Sequence, residues 1–256
     1  MKIWEALVLG LVQGASEFLP ISSSGHLLLL EKLGVGQENL FFNIMLHVGT
    51  LAAVLIAMRK KWLLLLRHPI NKTNGYLILA CVPTVALAFV FKLLAPSLID
   101  GKLLGCGFVL TACLLYVGEN FKLHKTALVN VKTSILTGVL QGIAVLPGVS
   151  RSGATISAMR FQGVQKEDAT TFSFLLSIPI IIGSALYESI DLITGKVTLD
   201  ISPAALIVGV LAAFVSGLLS IKFFLKLIEK HSMTVFIIYT LLLGLVVSIL
   251  PFWVKM

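Results

Sequence analysis

Three ionisable side chains stand inside apolar segments of the sequence, next to clusters of serine. They are Glu17, His26 and Arg151. An arginine guanidinium offers the paired N–H groups that phosphate oxygens prefer. Further donors surround these positions at Ser22, Ser24, Ser150, Ser152 and Thr155, with Gly153 beside them. The pattern predicts that a phosphate group binds here and that Arg151 clamps it.

The carboxylate and the imidazole add reactive chemistry to this phosphate site. Glu17 can hold a divalent cation, Mg²⁺ or Ca²⁺, or activate a water molecule. Gln13 lies one helical turn earlier and can orient Glu17 or supply a second metal ligand. His26 can transfer a proton to a leaving phosphate or attack phosphorus itself, and Ser23 is another candidate nucleophile. The residue types alone do not decide whether the nucleophile is water, Ser23 or His26.

A purely structural interpretation of the same residues is also open. Arg151 could pair with Glu17 as a charge-balanced plug, while backbone carbonyls satisfy His26. Short serine runs inside membranes often only satisfy backbone groups. Ionisable residues at membrane depth are nevertheless costly and usually functional, so we favour the functional interpretation.

The composition places these residues in a membrane. Of the 256 residues, 57% are hydrophobic and only 12% are charged, with a mean hydropathy of +1.00. A soluble domain needs about a quarter of its residues charged, and a nucleic-acid-binding domain needs dense Lys and Arg. The composition therefore excludes both classes, and the lipid bilayer is the expected partner.

Six apolar stretches are long enough to cross a bilayer. They lie at about 41–58, 76–94, 103–119, 169–187, 203–221 and 233–254. Two other apolar regions, 4–33 and 133–161, are interrupted by Pro, Gly and Ser at 19–25 and 147–153. The first half-segment, from Trp4 to Gly14, would reach only the midplane as a helix of about 16 Å. We predict two re-entrant helical hairpins, each carrying its break at mid-depth.

The two hairpins are related by an internal repeat. At an offset of 128 residues, six of sixteen positions are identical between 10–25 and 138–153. Each half, about 1–120 and 133–256, then holds one hairpin and three crossings within a single membrane domain, 1–256. Because three is odd, the second half enters the membrane upside down. The predicted fold is an all-α polytopic membrane protein of six transmembrane helices plus two re-entrant hairpins in inverted-topology repeats.

The distribution of Lys and Arg predicts the orientation. Thirteen lie on one side of the predicted topology and six on the other, with Arg151 at mid-depth. The thirteen-residue side should be cytoplasmic, which places both termini and the loop 188–200 outside. The net charge of +8 then reports topology rather than an anionic partner.

Two long segments resemble the signatures of a known family. Gln13-Gly-Ala-Ser-Glu-Phe-Leu-Pro-Ile-Ser-Ser-Ser-Gly-His26 resembles the first signature of the bacterial undecaprenyl-diphosphate phosphatases of the bacitracin-resistance type. Residues 147–155, Pro-Gly-Val-Ser-Arg-Ser-Gly-Ala-Thr, resemble their second signature, and 172–179 resemble the segment that follows it.

This resemblance implies an enzyme of the bacterial inner membrane. The family hydrolyses undecaprenyl diphosphate to the monophosphate that carries peptidoglycan precursors, with a divalent cation and a site open to the outer face. Residues matching positions that the family needs are Glu17, Ser23, His26, Ser150, Arg151 and Thr155. Many members carry Glu where this chain has Gln13, so Glu17 takes more of any metal-binding role. The partner is then a polyprenyl diphosphate lipid, and we allow for a homodimer.

Two other protein classes share part of this pattern. The acid phosphatase superfamily shares Ser-Gly-His and Ser-Arg elements, but it needs His and Asp where this chain has Ser157 and Phe161. A transporter or flippase for a phosphorylated lipid is the stronger rival, because inverted repeats and broken helices are typical of transporters. Glu17 and His26 beside a phosphate clamp favour chemistry over transport alone.

Overall fold

The computed structural model describes residues 1–37, 39–124, 127–193 and 201–249. Within these ranges the secondary structure consists of helices joined by short loops. The helices, α1 to α12 in order, are Ile3–Phe18, Ser23–Lys32, Leu40–Ala57, Arg59–Arg67, Lys72–Leu94, Pro96–Ile99, Leu104–Asn120, Val131–Ile143, Arg151–Phe161, Lys166–Ile193, Pro203–Lys230 and Thr234–Ile249. The described ranges hold no strand beyond an isolated bridge between Ala127 and Val164.

Among the described residues, four helices are long and apolar enough to cross a bilayer, namely α3, α5, α10 and α11. The two other predicted crossings fall on α7 and α12, which are apolar but only 17 and 16 residues long. The predicted end of the last crossing, at 254, lies outside the described residues. The all-helical membrane fold is therefore confirmed, and each predicted crossing coincides with a helix.

Both interrupted regions are broken where the sequence places proline. Pro20 has no N–H and disfavours helical backbone at Leu19, which is extended with φ −68° and ψ 145°. The second break contains Pro147 and Gly148, whose φ of +87° suits glycine. These breaks separate α1 from α2 and α8 from α9.

Helix α1 is longer than the predicted half-segment. It continues beyond Gly14 to Phe18, so its 16 residues span about 24 Å at 1.5 Å per residue. Nothing between Ala15 and Phe18 stops a helix, and Gln13 and Glu17 are hydrogen-bonded side chain to side chain within it. The predicted end at Gly14 was wrong because Pro20, rather than glycine, stops the helix.

Small residues bring α1 and α11 into close contact. A Cβ at Gly10 would lie 2.3 Å from the Gly209 carbonyl oxygen, and one at Gly14 would lie 2.0 Å from Ser216 Oγ. Ser220 Oγ also donates to the Ala15 carbonyl at 2.8 Å. Close backbone approach of this kind is how helices associate in lipid, and here it holds the helix that carries Glu17.

The second half repeats this arrangement with exchanged partners. Helix α8 packs on α5, where a Cβ at Gly138 would lie 2.1 Å from the Ala80 carbonyl oxygen. Thr84 Oγ1 donates to the Gly138 carbonyl at 2.9 Å. The break that follows α8 rests on α7, because Thr111 Oγ1 donates to the Gly148 carbonyl. Each hairpin is thus held by a helix of the other half.

Candidate functional site

The two breaks lie in contact with each other. Ser152 Oγ donates to the Leu19 carbonyl at 3.0 Å, and the Arg151 guanidinium forms an ion pair with Glu17. These contacts join residues more than 130 positions apart in sequence. The pairs of helices α1/α2 and α8/α9 therefore build one site from two halves.

A cavity of about 260 Å³ opens at this junction. The first break supplies Glu17 and the three serines 22–24, and the second supplies Ser150 and Arg151. Helix α10 adds Ile180, Ser184 and Glu188 at intervals of four residues, which places them on one face. The cavity is therefore lined by charged groups and hydroxyls at the centre and extends along α10.

Glu17 lies at the centre of the site, and its side chain is only 4% exposed. Its Oε1 accepts from Arg151 Nη2. Its Oε2 accepts from Gln13 Nε2 at 3.0 Å and from Ser23 Oγ at 2.5 Å. The arginine and the two neutral donors offset the free-energy cost of burying this carboxylate.

Ser23 and Arg151 occupy equivalent places in the two halves. Each is the first residue of its half-helix, α2 or α9, and they are 128 positions apart. Both side chains reach Glu17 from opposite breaks. A hydroxyl that donates to a carboxylate at 2.5 Å has the arrangement of a nucleophile beside its general base.

The serines that precede these residues cap the half-helices. Ser22 Oγ accepts from the Gly25 N–H at 3.3 Å, and Ser150 Oγ accepts from the Gly153 N–H at 3.1 Å. Ser22 also has φ +72°, a strained conformation for a residue with a side chain. Both hydroxyls line the cavity. Ser150 donates its proton to Ser152 Oγ, 3.2 Å away, because the Ser152 proton goes to the Leu19 carbonyl, and the Gly153 N–H is already used.

Two other residues predicted to bind the phosphate lie outside the cavity lining. Ser152 Oγ donates to Leu19, as described above, and is buried. Thr155 Oγ1 is 2.6 Å from Ser173 Oγ and bonds carbonyls of its own helix. In this structure both residues tie α9 to its neighbours, while their predicted role toward phosphate stays a prediction.

His26 faces away from the cavity. Its Nδ1 lies 2.7 Å from the Ser22 carbonyl, and its Nε2 lies 2.6 Å from the Tyr239 hydroxyl of α12. The two rings stack at a centroid distance of 5.7 Å. A carbonyl can only accept, so Nδ1 carries the proton and Nε2 accepts from Tyr239. Both nitrogens are engaged, and the structure does not bring His26 to the phosphate-binding residues.

A different imidazole lines the cavity. His47 on α3 places Nε2 4.0 Å from Glu17 Oε2, while its Nδ1 bonds the Asn43 carbonyl at 2.9 Å. Sequence reasoning considered ionisable residues only at the breaks and missed His47 and Glu188. The signal was present for His47, since it lies inside the apolar stretch 41–58.

The donors at this site fit a hard divalent cation. Glu17 and Glu188 both line the cavity, together with serine hydroxyls. The buried Gln13 Oε1 has no hydrogen-bond partner among the described side chains. Carboxylate, amide and hydroxyl oxygens are the ligands of Mg²⁺ and Ca²⁺. No group of three His, Cys, Asp or Glu forms a metal cluster within the described ranges, so phosphate oxygens would have to complete the coordination.

Comparisons with known proteins agree on one family. The family described as bacitracin resistance protein BacA matches residues 6–246. A protein of Carboxydothermus hydrogenoformans named undecaprenyl-diphosphatase is 39% identical over 98% of both chains. Relatives with the same name from Treponema denticola and Bacteroides thetaiotaomicron are 40% and 38% identical, covering 99% and 97% of this chain and 98% and 99% of their own.

Proposed function

Because the chain belongs to the bacitracin resistance protein BacA family, we propose that it hydrolyses undecaprenyl diphosphate to undecaprenyl phosphate and inorganic phosphate. This reaction returns the carrier lipid to peptidoglycan synthesis and confers bacitracin resistance. The proposal rests on the contacts of Glu17 at the wall of a polar cavity. Glu17 accepts a hydrogen bond from Ser23 of one break and forms an ion pair with Arg151 of the other.

The substrate would enter with its diphosphate in the cavity and its tail among the helices. Arg151 is the more exposed member of its ion pair, at 18% against 4% for Glu17. Its Nη2 bonds Glu17, and the remaining N–H groups of the guanidinium suit phosphate oxygens. Ser22, Ser24 and Ser150 supply hydroxyl groups around the same space.

Chemistry begins with the Ser23 hydroxyl. Glu17 Oε2 accepts its proton, and Ser23 Oγ forms a bond to the terminal phosphorus. The bond from that phosphorus to the bridging oxygen breaks, and its electron pair leaves with undecaprenyl phosphate. Glu17 passes that proton through His47 to the leaving phosphate and becomes a carboxylate again. Water then gives a proton to Glu17 and attacks the phosphoserine. The bond from phosphorus to Ser23 Oγ breaks, Ser23 takes the proton back from Glu17, and inorganic phosphate is released. Direct attack by water, activated by Glu17, is the variant without a covalent intermediate.

Glu17 must exchange partners for this step to occur. In the free protein Arg151 stabilises the carboxylate and makes it a weak base. An incoming diphosphate competes for the guanidinium and brings negative charge close to Glu17, and both effects favour proton uptake. The ion pair is then a resting arrangement that the substrate opens, rather than a plug.

The two imidazoles take different roles in this proposal. His47 lines the cavity and can pass a proton to the leaving phosphate. His26 is a positioning residue, because its bond to the Ser22 carbonyl fixes the turn that presents Ser23. This assignment explains a requirement for His26 without contact between His26 and phosphorus.

A divalent cation would be held by Glu17, with the Gln13 amide oxygen as a second ligand. When bound, it would neutralise charge on the phosphate oxygens. The unpartnered Gln13 Oε1 supports this assignment.

We also propose the full topology of six transmembrane helices and two re-entrant hairpins in inverted repeats, 1–120 and 133–256. The exchanged contacts α1 with α11 and α8 with α5 support it. The cavity extends along α10 toward Glu188, away from the basic start of that helix at Lys166. This direction supports an opening to the outer face of the inner membrane. A homodimer is tested by the mass of the protein in detergent.

The activity is tested by phosphate release from undecaprenyl diphosphate in detergent, with and without chelator. We expect release by the wild type and loss in Arg151→Ala. Glu119→Gln is the matched control, because it removes a different ion pair, with Lys166, outside the cavity. Equal release by wild type and Arg151→Ala would contradict the proposed site.

The same assay separates hydrolysis from transport. A detergent micelle has no two membrane sides, so transport gives no signal in this assay. A flippase without hydrolase activity would therefore release no inorganic phosphate. Absence of release by folded wild-type protein, with Mg²⁺ and with Ca²⁺, would favour the transport function.

A further inference from the structure

A second cavity, of about 360 Å³, shares no lining residue with the first. It is formed where α3 ends, α4 begins and the later part of α11 passes. Four basic side chains line it, Arg59, Lys60 and Lys61 from α4 and Lys222 from α11. Ile56, Leu218 and Leu225 supply apolar walls. The cavity thus combines concentrated positive charge with a hydrophobic wall.

The positive charge of this cavity is not balanced within the described protein. No acidic residue lines it, and none of the salt bridges among the described residues involves its four cations. Lys61 donates to Thr171 Oγ1 at 2.8 Å, which leaves its charge uncompensated. Like charges gathered at one cavity repel, so an anion bound there would stabilise the arrangement.

The depth of the cavity matches the level of lipid headgroups. Helix α11 has 28 residues and is about 42 Å long, whereas the hydrocarbon core is about 30 Å thick. Lys222 lies about 29 Å along the axis from Pro203, so a helix that enters the hydrocarbon near Pro203 leaves it near Lys222. On the preceding turns, Ile207, Leu211, Val215 and Leu219 are exposed at intervals of four residues. This exposed apolar stripe ends at Leu219, less than one helical turn before Lys222 of the cavity wall.

Helix α4 has the composition of a helix that lies in the membrane surface. Its sequence is Arg-Lys-Lys-Trp-Leu-Leu-Leu-Leu-Arg, and Leu63, Leu64 and Leu66 are exposed. Trp62 Nε1 donates to the Leu55 carbonyl at 2.7 Å, which fixes α4 to the end of α3. The basic start of α4 is thereby held against the cavity.

We propose that this cavity binds the headgroup of an anionic phospholipid from the cytoplasmic leaflet. Arg59, Lys60 and Lys222 would hold the phosphodiester, Arg59 with its paired N–H groups. An acyl chain would lie along the exposed stripe of α11. Basic pockets between helices on the cytoplasmic side are typical headgroup sites. This site is separate from the proposed catalytic cavity and does not depend on the activity of the protein.

The test is lipid titration of the purified full chain in detergent, followed by native mass spectrometry. The probes are dioleoyl phosphatidylglycerol and dioleoyl phosphatidylcholine, which have the same tails. The cavity variant is Arg59→Gln/Lys60→Gln/Lys222→Gln. The control variant, Lys72→Gln/Lys122→Gln/Lys132→Gln, removes three exposed charges from the same side outside the cavity.

We expect the wild type to prefer phosphatidylglycerol. One basic residue near lipid contributes about fivefold, so the cavity variant should lose about a hundredfold in affinity, and the control about twofold at most. If the triple variant does not fold, Lys222→Gln alone replaces it, with an expected loss of about fivefold in affinity for phosphatidylglycerol. Equal losses in both triple variants, or no loss in the cavity variants, would overturn the proposal. Displacement by millimolar inorganic phosphate would also overturn it, since the site would then recognise a free anion.

Discussion

The ion pair between Glu17 and Arg151 offers a test that separates a catalytic site from a structural plug. Both residues would be neutralised, singly and together, in Glu17→Gln, Arg151→Gln and the double variant. Arg151→Gln leaves a carboxylate that is only 4% exposed without its cation. Breaking a buried pair in this way costs about 3–5 kcal/mol, whereas neutralising both partners is often nearly neutral. Ser23 and Gln13 still donate to Glu17, so we expect the lower end of that range.

Stability and activity should therefore respond differently across the three variants. Thermal unfolding in detergent should show both single variants melting below the wild type, Arg151→Gln most strongly, with the double variant close to the wild type. Phosphate release should fall about 10²-fold or more in all three. Arg151 is a preorganised donor to the phosphate and Glu17 is the general base, and losing either costs about that much. A double variant that regains both stability and phosphate release would refute the catalytic interpretation and support the plug.

Three further predictions follow from individual contacts. Ser23→Ala should lower phosphate release by at least about 10²-fold, and acid-quenched wild type should yield phosphoserine at position 23 by mass spectrometry; full activity without Ser23 would leave direct attack by water. Tyr239→Phe removes the hydroxyl that holds His26 and should lower kcat about tenfold, the effect of about 1.4 kcal/mol for one hydrogen bond, with KM nearly unchanged; an unaltered kcat would contradict the positioning role. Gly10→Ala should destabilise the protein by about 1–3 kcal/mol because its Cβ would meet the Gly209 carbonyl, whereas Gly183→Ala, with no atom within 4 Å, should be neutral or stabilising; equal melting temperatures would argue against close packing of α1 on α11.

Much of the fold was predictable because lipid imposes simple constraints. Apolar length located a helix at every predicted crossing, and clusters of Pro, Gly and Ser located both breaks. Proline alone is not sufficient, because Pro83 and Pro179 lie inside α5 and α10. Helix α4 was missed because its nine residues are too short and too basic for a crossing pattern. Helix α6, Pro96–Ile99, has only four residues and gives no periodic signal.

The site was predictable where the repeat carried information. The offset of 128 residues aligned Ser22 with Ser150 and Ser23 with Arg151, and the structure places these residues at one cavity. His26 was harder to place, because a residue three positions after Ser23 lies on nearly the same face of the helix. Only the packing of α12 shows that His26 bonds Tyr239 and does not line the cavity. His47 and Glu188 reach the cavity from distant helices. The place of His47 inside an apolar stretch marked it as a candidate, but spacing along the chain does not show that either residue reaches this cavity.

The most direct test of the central claim is the position of the substrate. A cryo-electron microscopy structure with a polyprenyl methylene-diphosphonate, which cannot be hydrolysed at the bridge, would locate both phosphorus atoms. We predict that the terminal phosphorus lies beside Ser23 Oγ and that its oxygens accept hydrogen bonds from Arg151. Glu17 should then have lost at least part of its ion pair with Arg151. Density for the diphosphonate beside His26 and Tyr239, with the Glu17–Arg151 pair intact, would contradict the proposed site.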